Sequence, residues 1–108
     1  MQLIFAIVED RDAEAIQTVL TASGRRMTRL STTGGFLQQG NSTILLGLDD
    51  RLVAETLDMI RAQSRRRTMF MPSLIGGSDP VYGPADQVEV DIGGAAIFVL
   101  PVEHFEQL

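Results

Sequence analysis

The 108-residue chain contains no cysteine, no lysine and a single histidine. Without thiols there is no disulfide, thiolate nucleophile, zinc ribbon or iron–sulfur cluster. Without lysine there is no Schiff base and no phosphate-binding P-loop lysine. His104 alone cannot build a multi-histidine metal centre. Positive charge is also scarce: nine arginines face 14 acidic residues, for a formal net charge of −5. A general nucleic-acid binder needs a basic face, so that class is set aside. A small anionic ligand needs only one or two arginines and is still allowed. Long apolar runs are missing as well. Leu3–Val8 and Ala95–Val102 fall far short of the ~18 to 20 residues of a membrane span. The chain opens on apolar residues followed by Glu9-Asp10, without the basic start and cleavage site of a signal peptide. A cytoplasmic protein is expected.

What is present is the composition of one globular domain over residues 1–108, with 44% hydrophobic residues. A chain this short leaves much surface exposed, and oligomerisation would add core. Leu3 to Val8 is a short run rich in β-branched residues, which predicts a central strand buried on both faces. Asp10 or Asp12 is placed to cap the helix that follows. Ala13, Ile16, Val19 and Leu20 share one face of that helix, and Gly24 marks its end. Met27 to Ser31 alternates weakly, as a strand would. Thr32-Thr33-Gly34-Gly35 signals a loop, and Ser42 to Leu48 a second long strand. Asp49 or Asp50 caps the next helix, whose apolar face is Val53, Leu57 and Ile60. Arg65-Arg66-Arg67 closes it, with cations at the negative end of the dipole. A short strand from Thr68 to Met71, a Gly- and Pro-rich loop from Pro72 to Ala85, and strands at Val88–Ile92 and Ala95–Leu100 complete the chain. The order β-α-β-β-α-β with an extra strand or hairpin and a long loop is the ferredoxin-like pattern, an α+β class.

Two segments have the chemistry to hold a ligand. In Thr32 to Asn41, glycines bring backbone N–H groups close to a partner. Phe36 can stack on a nucleobase, and the amide of Asn41 can read an adenine edge. A hairpin loop with Phe36 tucked into the core answers the same pattern. In Arg25 to Arg29, Arg26 and Thr28 fall on one face of a strand, where a guanidinium and a hydroxyl can share a phosphate. A solubilising edge strand does so equally. Arg65–Arg67 reads as a solvated helix end. Gly93-Gly94 inside a strand pattern marks a bulge, a packed crossing or a ligand contact. The carboxylates Asp10, Asp12, Glu14, Asp49 and Asp50 gather at helix starts, where capping and the helix dipole explain them. Asp49-Asp50 has no third ligand for magnesium. No catalytic set and no metal site emerges.

Three segments in this order resemble one family closely: Met1–Asp12, the stretch Ser31–Leu37 followed by Gly40–Thr43, and Val88–Val102. The chain is similar along nearly its whole length to the cyclic-di-AMP receptors, PII-like signal transduction proteins. The resemblance implies a homotrimer of ferredoxin-like subunits with a ligand site at each subunit interface. It implies signalling through loops that rearrange on binding, with no enzymatic activity and no cofactor besides the cyclic di-AMP ligand. By that resemblance Arg26 and Thr28 meet the phosphates and Phe36 stacks on a base. The Leu37 backbone and Asn41 read adenine, and Gly47 lets the ligand approach. Gly94, Phe98 and Gln107 border the site. The 72–85 loop is the expected contact for a downstream protein. Where family members carry an Asn and an aromatic before the phosphate-binding Arg, this chain has Gly24-Arg25, and it has Gln38 where they carry a cation. A sensor of ATP or ADP on the same fold is the alternative reading, and an oligomeric enzyme or scaffold on a ferredoxin-like fold is the third.

Overall fold

The computed structural model describes residues 1–32, 40–72 and 87–108. Eight elements follow in order: β1 (Gln2–Glu9), α1 (Asp10–Ala22), β2 (Thr28–Thr32), β3 (Asn41–Leu48), α2 (Asp50–Ser64), β4 (Arg67–Pro72), β5 (Gln87–Ile92) and β6 (Ala95–Pro101). β2, β3, β1 and β6 lie side by side in that order in one antiparallel sheet, while β4 and β5 form a separate two-stranded ladder. The result is a small α+β fold, compatible with the ferredoxin-like arrangement.

Alternation along the strands decides what each sheet face does. Ile4, Ala6 and Val8 of β1 and Ile44, Leu46 and Leu48 of β3 turn to one face. There they form the core with Ala13, Ile16 and Leu20 of α1 and Ile60 of α2. Among the described residues the opposite face carries no helix. Across it runs a row of register partners, Thr28, Leu45, Phe5 and Phe98, one from each strand. Leu3 and Phe5 on this face are only half-buried, and Leu30, Phe98 and Leu100 are 45%, 44% and 49% exposed. β1 is therefore central, as expected, but its second face is not sealed within one chain.

At the end of α1, Gly24 takes φ +79°, donates its N–H to the Thr21 carbonyl, and lets Arg25 N–H reach the Leu20 carbonyl. This is the glycine stop that the sequence predicted. Asp49 caps α2 by accepting from the Arg51 N–H at 3.1 Å. The expected cap of α1 is different: Glu9 occupies that position with no side-chain cap bond, and Asp10 and Asp12 lie inside the first turn. Their carboxylates bind Ser42 on β3 and Arg67 on β4 instead. The arginine cluster also differs from its reading as a helix end. α2 stops at Ser64 with Arg65 as its cap, and Arg67 opens β4.

Candidate functional site

β2 begins at Thr28, so Arg26 stands just ahead of the strand rather than on it. It still reaches the place the spacing suggested. Arg26, Met27, Thr28, Leu45, Leu46 and Gly47 form one side of a groove of about 420 Å³, closed by Met1 and by Phe105, Glu106 and Gln107 of the C-terminal tail. Four of the site residues named from the sequence, Arg26, Thr28, Gly47 and Gln107, thus converge from three separate parts of the chain. Among the described residues the Arg26 guanidinium has no hydrogen bond or ion pair, and its side chain is exposed. An unpaired guanidinium beside a hydroxyl is a ready partner for a phosphate. A Cβ built on Gly47 would find only Met1 Sδ, at 3.9 Å, so the chain itself does not require glycine there.

Arg25 does not add a second cation to this groove. Its Nε donates to Thr56 Oγ1 at 2.7 Å and its Nη2 pairs with Glu55 at 3.1 Å, with only 8% of the side chain exposed. It fastens the end of α1 to α2. Met27 packs against the core. Met1, Phe105 and Glu106 were not singled out from sequence, because chain ends carry no periodic pattern to read.

Asn41 and Gly94 lie at the other end of the sheet. Asn41 is the register partner of Glu9, and Gly94 precedes Ala95, the partner of Val8. Phe98 sits between the two ends, its ring edge-on to Phe5 at 6.0 Å between centroids. Within one chain these three residues do not line the groove around Arg26. Phe36 and Leu37, with the glycines before them, fall outside the described residues, as does most of the 72–85 loop. The close approach at Gly93-Gly94 is made to the chain's own backbone. A Cβ on Gly93 would stand 2.2 Å from the Arg65 carbonyl oxygen, and Gly94 N–H donates to the Ser64 carbonyl at 2.6 Å.

This second end holds a polar cluster that local sequence spacing could not show. Asp10 N–H donates to the Gly40 carbonyl at 2.9 Å, and Asp10 Oδ1 accepts from Ser42 Oγ at 2.7 Å. Arg29 Nε donates to the same Ser42 Oγ. Glu9 Oε1 accepts from Gly93 N–H at 2.9 Å, and its Oε2 lies 3.1 Å from Arg11 Nε. The buried Asp12 binds Arg67 with Oδ1 2.7 Å from Nη2. The hydrogen bond that Arg67 donates to Asp12, with the charges of Asp12 and Glu9, holds the pKa of the Arg67 guanidinium above its ordinary range despite partial desolvation. Every carboxylate here has a structural partner, and among the described residues no group of three or more His, Cys, Asp or Glu could hold a metal ion. Among them, too, no helix is long and apolar enough to cross a membrane.

A functionally unknown protein from Pediococcus pentosaceus ATCC 25745, known from its crystal structure, is similar in fold and sequence. The TM-score is 0.78 at 38% identity, over 99% of this chain and 96% of that one. The profile of the cyclic-di-AMP receptor family matches residues 1–108. With the whole chain matched, the protein belongs to the cyclic-di-AMP receptor family.

Proposed function

We propose that this protein is a PII-like signal receptor that binds cyclic di-AMP between the subunits of a homotrimer and reports occupancy through loop rearrangement rather than catalysis. The observation that carries the reading is the groove at the start of β2. There an unpaired Arg26 stands beside the Thr28 hydroxyl, the open backbone of Gly47 and the Gln107 amide. A phosphate can take the guanidinium and hydroxyl while a base lies along the backbone. Asn41, Phe36 and Leu37 read and stack the adenine in this scheme.

The placement of the parts supports sharing between subunits. Thr28 and Phe98 occupy opposite ends of one row across four strands. Three strand spacings separate them, about 14 Å. A ligand seated at Arg26 would therefore meet Phe98 and Gly94 of a neighbouring copy more readily than those of its own chain. The half-open sheet face, with Leu30, Phe98 and Leu100 exposed, supports an assembly that covers it. Burying such a face is what a small domain needs to gain core.

Titration calorimetry with cyclic di-AMP tests the reading. Binding is expected for the native chain, and Arg26→Ala is expected to weaken it by about 1.5 kcal/mol or more, the scale of a charge-assisted hydrogen bond. Absence of heat at high protein concentration would refute it. Competition by ATP or ADP at equal strength would instead favour a different adenine ligand, and competition by cyclic di-GMP would point away from adenine reading.

A further inference from the structure

The polar residues Glu9-Asp10-Arg11-Asp12 make contacts in two directions. Glu9 pairs with Asn41 of β3 in the ladder, and Asp10 reaches β3 with its side chain. Its N–H binds the Gly40 carbonyl and its carboxylate binds Ser42, so it clamps both chain neighbours of Asn41. The residues beside it reach the β4–β5 ladder. Glu9 accepts from Gly93 N–H, Arg11 lies 3.6 Å from Met69 Sδ, and Asp12 pairs with Arg67. Glu9 and Asp12 are almost fully buried at 4% and 3% exposure. The root of the ladder is further tied down where Gly94 meets the Ser64 carbonyl and Arg67 Nη1 meets the Arg65 carbonyl. Asp10, Arg11 and Asp12 belong to the first turn of α1, whose backbone is held by helical hydrogen bonds and shifts as one piece.

We infer that Glu9 to Asp12 is a coupling joint that positions Asn41 through Asp10 and links it to the root of the β4–β5 ladder through Glu9 and Asp12. Asp10 is a positioning residue in this scheme, since it acts on Asn41 through Gly40 and Ser42. Displacement at the head of β3 shifts Asp10, and the turn carries the shift to the Gly93 and Arg67 contacts. The inference rests on the proposed function only in naming cyclic di-AMP as what displaces β3. The link itself is a property of the chain.

Gly40 offers a small push on one end of the joint. It does not take a positive φ, and a Cβ there would meet Asp10 Oδ2 at 2.6 Å, with no backbone atom of the described residues in the way. Gly40→Ala therefore pushes on Asp10, which is bound to this segment through both its N–H and its carboxylate, so the push falls on the turn that bears it. Amide hydrogen exchange of the ligand-free protein, read by mass spectrometry over 87–94, is expected to quicken at least threefold in Gly40→Ala. It is also expected to quicken in Ser42→Ala, although neither residue touches that segment. Arg67→Gln alone should quicken the same amides, and Gly40→Ala added to it should do less than it does in the native chain, since the Asp12 arm is cut and only the Glu9–Gly93 arm is left. Unchanged exchange in both β3 variants, or effects that simply multiply with Arg67→Gln, would overturn the joint. If Arg67→Gln does not fold, Arg67→Lys serves as the second arm, because it keeps the charge while losing the paired donors. Calorimetry with cyclic di-AMP on the same samples separates the two ideas. Altered exchange without binding heat leaves the joint standing and removes the ligand. Binding heat with unaltered exchange removes the joint.

Discussion

Replacing Gly93 by alanine is the sharpest test of how β5 passes into β6. Its φ of +88° lies in the region that a side chain makes costly, at about 1 to 2 kcal/mol. That is the smaller part. The new Cβ would stand 2.2 Å from the Arg65 carbonyl oxygen and 2.9 Å from its carbon. Both are backbone atoms at the end of α2, so no rotamer change relieves the clash. The two segments must separate. Separation would strain the Gly93 N–H bond to the Glu9 carboxylate, which as a bond to a charged group is worth about 1.5 to 3 kcal/mol. It would also strain the Gly94 N–H bond to Ser64. The sum is about 3 to 5 kcal/mol, at the exceptional end for a single substitution. Urea unfolding at fixed protein concentration reads it, since oligomerisation would make the midpoint concentration-dependent. With a slope of about 1 to 3 kcal/mol per molar urea, the midpoint should fall by about 2 M. Gly24→Ala is the control: it has a φ of +79° but nothing within 4 Å of its Cβ, so it should lose only the about 1 to 2 kcal/mol of conformational strain. Equal losses in the two variants would refute the close-approach reasoning.

Arg67→Gln is expected to cost about 2 to 3 kcal/mol, less than the 3 to 5 for a fully buried pair, because Arg67 is 41% exposed while Asp12 is 4% exposed. The folded-state pKa of Arg67 is raised, so its contribution is complete below the ordinary arginine value and fades only as pH rises through the still higher folded value. The loss should therefore be the same at neutral pH and at about pH 9, and a cost that halves over this range would contradict the assignment. Arg25→Met removes the donor to Thr56 and the pair with Glu55. It should cost about 1 to 2 kcal/mol in urea unfolding while leaving affinity for cyclic di-AMP within about twofold; a large affinity loss would return Arg25 to the ligand site.

The elements legible in the sequence were those set by local chemistry. The apolar run of β1, the Gly24 stop of α1 and the Asp49 cap of α2 each depend on residues within a few positions, and each appears as read. Asp10 and Asp12 were misread for the complementary reason. A carboxylate at a helix start looks like a cap whatever it binds, and the partner of Asp12 lies 55 positions away at Arg67. Gly93 shows the same division. Its place in a strand pattern announced a close approach, but only the fold could name the Arg65 carbonyl as what approaches. In the groove, Arg26, Thr28, Gly47 and Gln107 converge because β2 and β3 pair in the register that alternation favours and the tail returns past Met1, where Val102 N–H binds the Met1 carbonyl. Phe105 and Glu106, which complete the wall, had no pattern to reveal them.

Asn41, Gly94 and Phe98 stand apart from that groove within one chain, and their separation yields a prediction about assembly. Suppose one copy supplies Arg26 and Thr28 while its neighbour supplies Phe98. Arg26→Ala chains alone then have no intact site, and neither do Phe98→Ala chains alone. A mixed ring of the two kinds regains one site, at the interface where an intact Arg26 meets an intact Phe98. In either mixture of two and one, only one of the three interfaces has that pairing. Random assembly of equal amounts also leaves about a quarter of the trimers unmixed and without a site, so refolding the two variants together should restore cyclic di-AMP binding at native affinity but with about a quarter of the native stoichiometry. The native affinity matters, since the restored site is complete and only the number of sites falls. If both contacts came from the same chain, no mixture could recover anything. Calorimetry on the co-refolded sample separates the cases: a mixture as weak as its two parents would place the whole site within one subunit and end the case for a shared one.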